Sequence, residues 1–213
     1  MGKILLIGNG PSALENKMGE RIDSNEFVKV IRFNRWKFED DGEERKDNYS
    51  EYVGTRCDYW IINDLHLTET MLGINKRDLY ERVFVYMPKF KLNANPHLVN
   101  KVNSKFDNIR FIPPSIEDQI NNIVNTKPSW PTTGLIGLGW VIDCMQKSPR
   151  PDEIYFYGFD NYDLKYKSQH YFEDENSKYG RNKYIENTQD HTPSIEKEYI
   201  NYMVKNNKIK KLI

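Results

Sequence analysis

Six short apolar runs punctuate the chain, at Lys3 to Gly8, Phe27 to Phe33, Asp58 to Asn63, Arg82 to Met87, Ile109 to Ile112 and Glu153 to Gly158. Each has the length of a strand and is rich in β-branched or aromatic residues. The stretches between them carry apolar residues at helical spacing and predict helices over Ser12 to Ile22, Asn95 to Phe106, Ser115 to Asn125, Thr133 to Gln146 and Thr192 to Asn206. Strands alternating with helices predict an α/β, Rossmann-like domain with a largely parallel central sheet flanked by helices. With 213 residues, no internal repeat and no Pro/Gly/Ser linker, one domain over 1–213 is expected. Two polar segments, Glu39 to Tyr52 and Asp163 to Asp190, are rich in charge, Asn and Tyr. Their length marks them as inserts or site lids.

Composition narrows the picture. The 31 Lys+Arg and 31 Asp+Glu cancel, so the chain lacks the cationic excess of a general nucleic-acid or anionic-membrane binder. Aromatics at 13% together with zero net charge argue for a packed core, not a disordered chain. Nowhere do roughly 18 apolar residues run together, so no integral membrane segment is expected. The start runs straight into Lys3-Ile4-Leu5-Leu6-Ile7, which is not the pattern of a signal peptide. The two cysteines, Cys57 and Cys144, neither make a disulfide framework nor show metal-ligand spacing. A reduced, soluble, cytoplasmic protein is expected.

Chemistry concentrates at the ends of predicted strands. Gly8-Asn9-Gly10-Pro11-Ser12-Ala13 follows the first strand and opens a predicted helix, so its backbone N–H groups are expected to face an anion above the carboxyl edge of the sheet. The letters also fit the dinucleotide fingerprint, which requires an acidic residue about 20 positions on, at the end of the second strand. That strand ends Arg32-Phe33-Asn34, and an amide there argues against a conventional NAD or FAD site. A second helix start lies at Pro131-Thr132-Thr133-Gly134, where a Thr can cap and Gly134 admits a ligand close to the backbone. The helix that follows is apolar nearly all round, which predicts a central, buried helix with Gly137 and Gly139 as close-packing positions.

Two histidines stand in the last third. His170 heads His170-Tyr171-Phe172-Glu173, and His191 immediately precedes Thr192-Pro193, a strong helix start. The partial positive charge at a helix N-terminus favours a neutral imidazole, which is what a general base needs. A metal cluster built on His170, His191 and Glu173 matches no standard zinc spacing. His66 and His97 have no comparable context and read as surface or loop residues.

Taken in order, four segments resemble the sialyltransferases of glycosyltransferase family 29. Gly8-Asn9 through Ile22-Asp23-Ser24 to Phe33-Asn34 resembles the large sialyl motif, and Pro131-Thr132-Thr133-Gly134 through Cys144 to Tyr157-Gly158-Phe159 resembles the small one. His170-Tyr171-Phe172-Glu173 resembles the third motif, and His191 to Glu196, with four residues between, the very small motif. The resemblance implies the sialyltransferase variant of the GT-A fold. It also implies an inverting, metal-independent transfer of sialic acid, or a related 2-keto sugar such as Kdo, from a CMP-sugar to a glycan hydroxyl. No cofactor beyond the CMP-sugar is implied, and a galactoside-terminated acceptor is expected. Gly8, Asn9, Gly10 and Asn34 would lie against the CMP part of the donor. Thr132, Thr133 and Gly134 would hold its ribose or phosphate, His170 would stabilise the departing phosphate, and His191 would take the acceptor proton. Gly158-Phe159-Asp160-Asn161-Tyr162 is similar to bacterial sialyltransferases of family 42, in which a Tyr soon after this strand helps bind the phosphate, so Tyr162 is a further donor contact. The family usually joins a Cys in the first strand to the Cys of the small motif; Cys144 stands at the second position but Ile4 at the first, so that bridge cannot form. Two other readings stand beside this one: a cytidine-nucleotide-binding module without transfer activity, and an NAD-type oxidoreductase, which Asn34 disfavours.

Overall fold

The structure is a computed structural model that describes residues 1–34, 49–64, 80–97, 99–100, 108–124, 131–160, 170–171 and 193–213. Seven parallel strands form one sheet: β1 (Lys3–Ile7), β2 (Lys29–Phe33), β3 (Tyr59–Asn63), β4 (Arg82–Tyr86), β5 (Ile109–Phe111), β6 (Glu153–Tyr157) and β7 (Lys210–Lys211). Their order is β5-β4-β3-β2-β1-β6-β7. The chain therefore builds outward from β1 to β5, returns, and adds β6 on the other side of β1. The carboxyl ends of β1 and β6 flank the point where the order reverses, the usual place for a ligand in an open α/β sheet.

Alternation along each strand fills two cores. Ile4 and Leu6 of β1, Ile31 and Phe33 of β2, and Ile154 and Phe156 of β6 face a larger cluster with α4 (Ser115–Val124), α5 (Thr133–Gln146) and α6 (Pro193–Lys205). Leu5, Ile7, Val30 and Tyr157 face the opposite cluster, which includes Ala13, Ile22 of α1 (Gly19–Asp23), Val53 of α2 (Ser50–Val53) and Tyr171. One further short helix, α3 (Lys89–Ala94), follows β4.

Helix α5 is central and buried, as its uniform apolarity predicts. Its glycines are packing positions. A Cβ at Gly137 would collide with the Phe33 ring and lie 2.8 Å from Ile61 Cδ1, whereas one at Gly139 would come no closer than 3.1 Å, to Ile120 Cδ1. Gly137→Ala should thus cost roughly 1–2 kcal/mol after the gain in helix propensity is offset against overpacking. Gly139→Ala should be near neutral. Urea midpoints at an unchanged m-value report the difference, and equal midpoints for the two variants would refute this packing argument.

One predicted helix is broken. Ser12 to Ile22 was expected to be continuous, but Pro11–Leu14 is a 3-10 turn and α1 begins only at Gly19. The Tyr157 hydroxyl lies 2.7 Å from Ala13 O and 3.0 Å from Asn16 O, taking up carbonyls a continuing helix would use itself. Burial pushes that phenol up to about 12, so it stays a donor at neutral pH. Strand β7 was not predicted, since two lysines on an edge carry no apolar run; exposed edge lysines also deter pairing with another chain. The predicted inserts 39–52 and 163–190 lie largely outside the described residues, although Tyr49 and most of α2 fall within the first and His170 and Tyr171 within the second.

The region of Ile22-Asp23-Ser24 has a structural explanation. Asp23 accepts hydrogen bonds from the Thr55 and Arg56 N–H groups and from the Thr55 hydroxyl, across the turn where Gly54 adopts φ 64°. Buried Arg32 holds the same turn from inside, donating to Val53 O and Arg56 O. That turn sets the start of β3, and with it the register next to Asn34.

Candidate functional site

An open cleft lies at the carboxyl edge, over the reversal between β1 and β6. It is lined by Gly8, Asn9, Gly10, Asn34, Thr132, Thr133, Gly134 and His170, which are the described site residues expected from the sequence. They come from four separated parts of the chain. Phe33, Gly158, Phe159, Asp160 and Glu196 complete the lining and were not singled out as site residues. His191 and Tyr162 lie outside the described residues, as does Thr192.

The first turn differs from its expected role. Gly8 N–H donates to Tyr157 O and Gly10 N–H to Gly158 O, both at 2.8 Å, while Ser12 N–H donates to Asp160 Oδ2 at 2.7 Å. These donors are committed to joining β1 to β6, so they do not form a phosphate cradle. The glycines serve close approach instead. A Cβ at Gly8 would strike Gly158 O, and one at Gly10 would strike the Asp160 carboxylate. Gly158, at φ 68°, supplies the left-handed corner that aims its carbonyl at Gly10.

Asn9 organises the cleft. Its carboxamide donates to Phe33 O at 3.0 Å, tying the end of β1 to that of β2. Its carbonyl accepts from Tyr171 N–H at 2.9 Å. Tyr171 is buried, its ring edge-on to Tyr49 at 5.3 Å, so the core itself fixes where His170 enters the cleft. Asn34 sits at φ 44°, a left-handed conformation that Asn tolerates better than most residues. Its Oδ1 accepts from Asn63 N–H and its carbonyl from the Trp60 indole, leaving the Nδ2 hydrogens as what it can offer a ligand.

The end of the cleft with N–H groups to offer is the start of α5. Thr132 caps it, its hydroxyl accepting from Leu135 N–H at 3.2 Å. Glu196, from the first turn of α6, is buried and accepts from both the Thr132 N–H and the Thr132 hydroxyl at 2.8 Å. A hydroxyl has one hydrogen, and this one is spent. Thr132 therefore holds the helix start in place, and the Thr133 and Gly134 N–H groups are the first-turn donors that remain for a ligand. A helix of 14 residues directs its dipole at the same spot. Phe159 closes the far side, its ring edge-on to Phe33 at 5.6 Å and in reach of Gly134.

Among the described residues, no group of three His, Cys, Asp or Glu could hold a metal ion, and no helix is long and apolar enough to cross a membrane. Cys57 and Cys144 are free thiols; burial pushes the Cys57 thiol up to about 12, which removes it as a nucleophile. Ile4 packs in the larger core and pairs with Ile154 of β6.

Comparison with known proteins agrees with this arrangement. The family model of glycosyltransferase family 29 (sialyltransferase) matches residues 5–208. A mammalian sialyltransferase solved in complex with Gal-β-1-3GalNAc-ortho-nitrophenol superposes with a TM-score of 0.62 at 16% identity, over 99% of this chain and 69% of that one. The sialyltransferase CstII from Campylobacter jejuni, in complex with the substrate analogue CMP-3FNeuAc, superposes with a TM-score of 0.60 at 21% identity, over 99% of this chain and 80% of that one. The same enzyme in complex with a trisaccharide acceptor and CMP gives 0.58 at 20% identity, over 98% and 79%. At these identities the likeness is one of fold. No match is found among curated protein sequences.

Proposed function

The chain belongs to glycosyltransferase family 29, the sialyltransferases, and we propose that it transfers sialic acid or a related 2-keto sugar such as Kdo from a CMP-sugar to a hydroxyl of a galactoside-terminated glycan. One observation carries this reading: the predicted residues of three separate motifs, in four segments of the chain, line a single cleft at the sheet reversal. The neighbours of known structure hold CMP, a CMP-sugar analogue or a glycan acceptor, which is in keeping with it.

The reaction is read as one inverting displacement. The Thr133 and Gly134 N–H groups and the α5 dipole receive the donor phosphate, and His170 stabilises the charge that grows on it as the bond from the anomeric carbon to the phosphate oxygen breaks. His191 takes the proton of the acceptor hydroxyl while its oxygen bonds to the same carbon from the opposite face. CMP leaves with the bonding pair. The proton ends on His191, so the balance requires no metal ion. Tyr162 and the carboxamides of Asn9 and Asn34 complete the donor contacts.

Calorimetric titration and an acceptor assay test this. CMP is expected to bind much more tightly than AMP, and a CMP-sugar should release CMP in the presence of lactose or another simple galactoside at a rate that EDTA leaves intact. Failure to bind CMP would remove the proposal. Donor hydrolysis without transfer to any galactoside would reduce it to a nucleotide-binding module.

A further inference from the structure

A chain that is neutral as a whole carries a local excess of positive charge far from the cleft. From Tyr199 to Ile213 stand four lysines, Lys205, Lys208, Lys210 and Lys211, and no acid. The fold gathers them at one border of the sheet. Asn207, at φ 54°, reverses the chain after α6, Lys208 N–H returns to Met203 O at 2.9 Å, and the edge strand β7 follows at Lys210. Ile209 and Leu212 turn into the two cores, which leaves all four lysines exposed. The neighbouring acids are already engaged: Glu153 pairs with Lys210, and Asp152 accepts from the Gly2 N–H at 2.6 Å. Among the described residues no acid pairs with Lys205, Lys208 or Lys211.

Apolar surface accompanies this charge. Tyr202 and Val204, near the end of α6, are 48% and 39% exposed. At the amino edge of the sheet an open cavity sets Ile142, Met145 and Pro151 beside Lys208 and Lys210. Lysine stems can lie along such side chains while the ammonium groups reach lipid phosphates, and a tyrosine suits the headgroup level. A polynucleotide would use the charges and leave the aliphatic side chains in water.

We infer that this face, the end of α6 together with the β7 edge, docks the protein on an anionic lipid bilayer. The catalytic cleft opens at the carboxyl edge, whereas the cavity beside Lys208 lies at the amino edge, so docking leaves the cleft accessible.

Sedimentation of the full chain with vesicles tests this, using phosphatidylglycerol and phosphatidylcholine in equal parts against phosphatidylcholine alone. A lysine near an anionic bilayer contributes about fivefold to binding, so the wild type should prefer the mixed vesicles by about 10-fold or more. Lys205→Gln, Lys208→Gln and Lys211→Gln combined should lose about 100-fold, and each alone about fivefold, which keeps the test if the combined variant does not fold. In 1 M salt, where charges are screened beyond about 3 Å, the preference of the wild type should vanish. Tyr202→Ser should weaken binding to the mixed vesicles severalfold and keep the salt dependence. Circular dichroism confirms the fold of each variant, and CMP affinity, measured apart, should stay within about twofold of wild type with and without vesicles. A wild type that binds neither vesicle or both alike overturns the inference, as does a folded combined variant that binds like wild type. So does tighter binding to an RNA oligonucleotide than to the mixed vesicles at the same salt, which would make the lysines a polyanion site. Each of these outcomes leaves the CMP-sugar reading standing, since that reading fails only on CMP binding and transfer.

Discussion

His191→Ala should lower kcat by about 10²–10⁴-fold, the usual contribution of a positioned general base, while the affinity for CMP stays within about twofold of wild type. The split follows from where the residue acts. His191 precedes the helix that begins at Pro193, and a helix N-terminus favours the neutral imidazole that can accept a proton. In the proposed reaction it acts on the acceptor hydroxyl, so its loss should leave the proposed phosphate site at Thr133 and Gly134 intact. The pH profile supplies the second check. A base must be deprotonated to work, so the wild-type rate should fall on the acid side as the imidazole takes a proton, and in the alanine variant that limb should be absent or displaced. Initial rates at saturating donor, collected across pH beside a CMP titration, measure both. A kcat within threefold of wild type, or a parallel loss of CMP binding, would reject His191 as the base.

The fold was legible wherever burial is two-sided. Buried parallel strands carry apolar residues toward both faces, so β1, β2, β3, β4, β5 and β6 stand out as runs, and the observed bounds fall within one or two residues of the predicted ones. Helix α5 was legible for the same reason. What could not be read depends on partners distant in the chain. The break after Leu14 is set by the hydroxyl of Tyr157, more than a hundred residues away, and β7 exists because β6 offers it an edge. The cleft divides in the same way. Asn9, Asn34 and Thr132 to Gly134 could be picked out because each lies at a strand end or helix start with its own local signature, and His170 because it heads the segment that resembles the third motif. Asp160 and Glu196 stand inside the motif segments, but their roles could not be read, because the property that makes each matter is the group it accepts from, Ser12 N–H in one case and Thr132 in the other. The anion site moved for the same reason. A glycine-rich turn after β1 suggests open N–H groups, but the structure spends those of Gly8, Gly10 and Ser12 on the β6 corner and Asp160, so the proposed phosphate site falls to the start of α5.

Glu196→Ala is expected to be the most destabilising single change in the cleft. Its carboxylate sits between the N-termini of two helices, in the first turn of α6 and bonded to the cap of α5, and both dipoles favour a negative charge there. Alanine removes both acceptors at once and leaves the N–H and hydroxyl of half-buried Thr132 without the partner they have, at up to about 1–3 kcal/mol each. For a chain of this size about 1 kcal/mol moves the melting temperature by roughly 2–4 °C, so a fall on the order of 5–15 °C should follow. Glu196→Gln keeps an acceptor oxygen for one of the two bonds and should lose about half as much. The cleft should register the change as well. With Thr132 released, the start of α5 frays and the N–H groups of Thr133 and Gly134 lose their fixed aim at the phosphate, so KM for the donor should rise more than kcat falls. Losing a carboxylate from the phosphate end acts the other way, by easing repulsion. The glutamine variant separates these effects: if charge dominates, it should bind CMP more tightly than wild type, and if aim dominates, more weakly. The two bonds observed at 2.8 Å from Thr132 to buried Glu196 argue for aim. Melting curves and donor KM for the two variants decide it, and an alanine variant with unchanged melting temperature and KM would show that Glu196 does not hold the two helices in register.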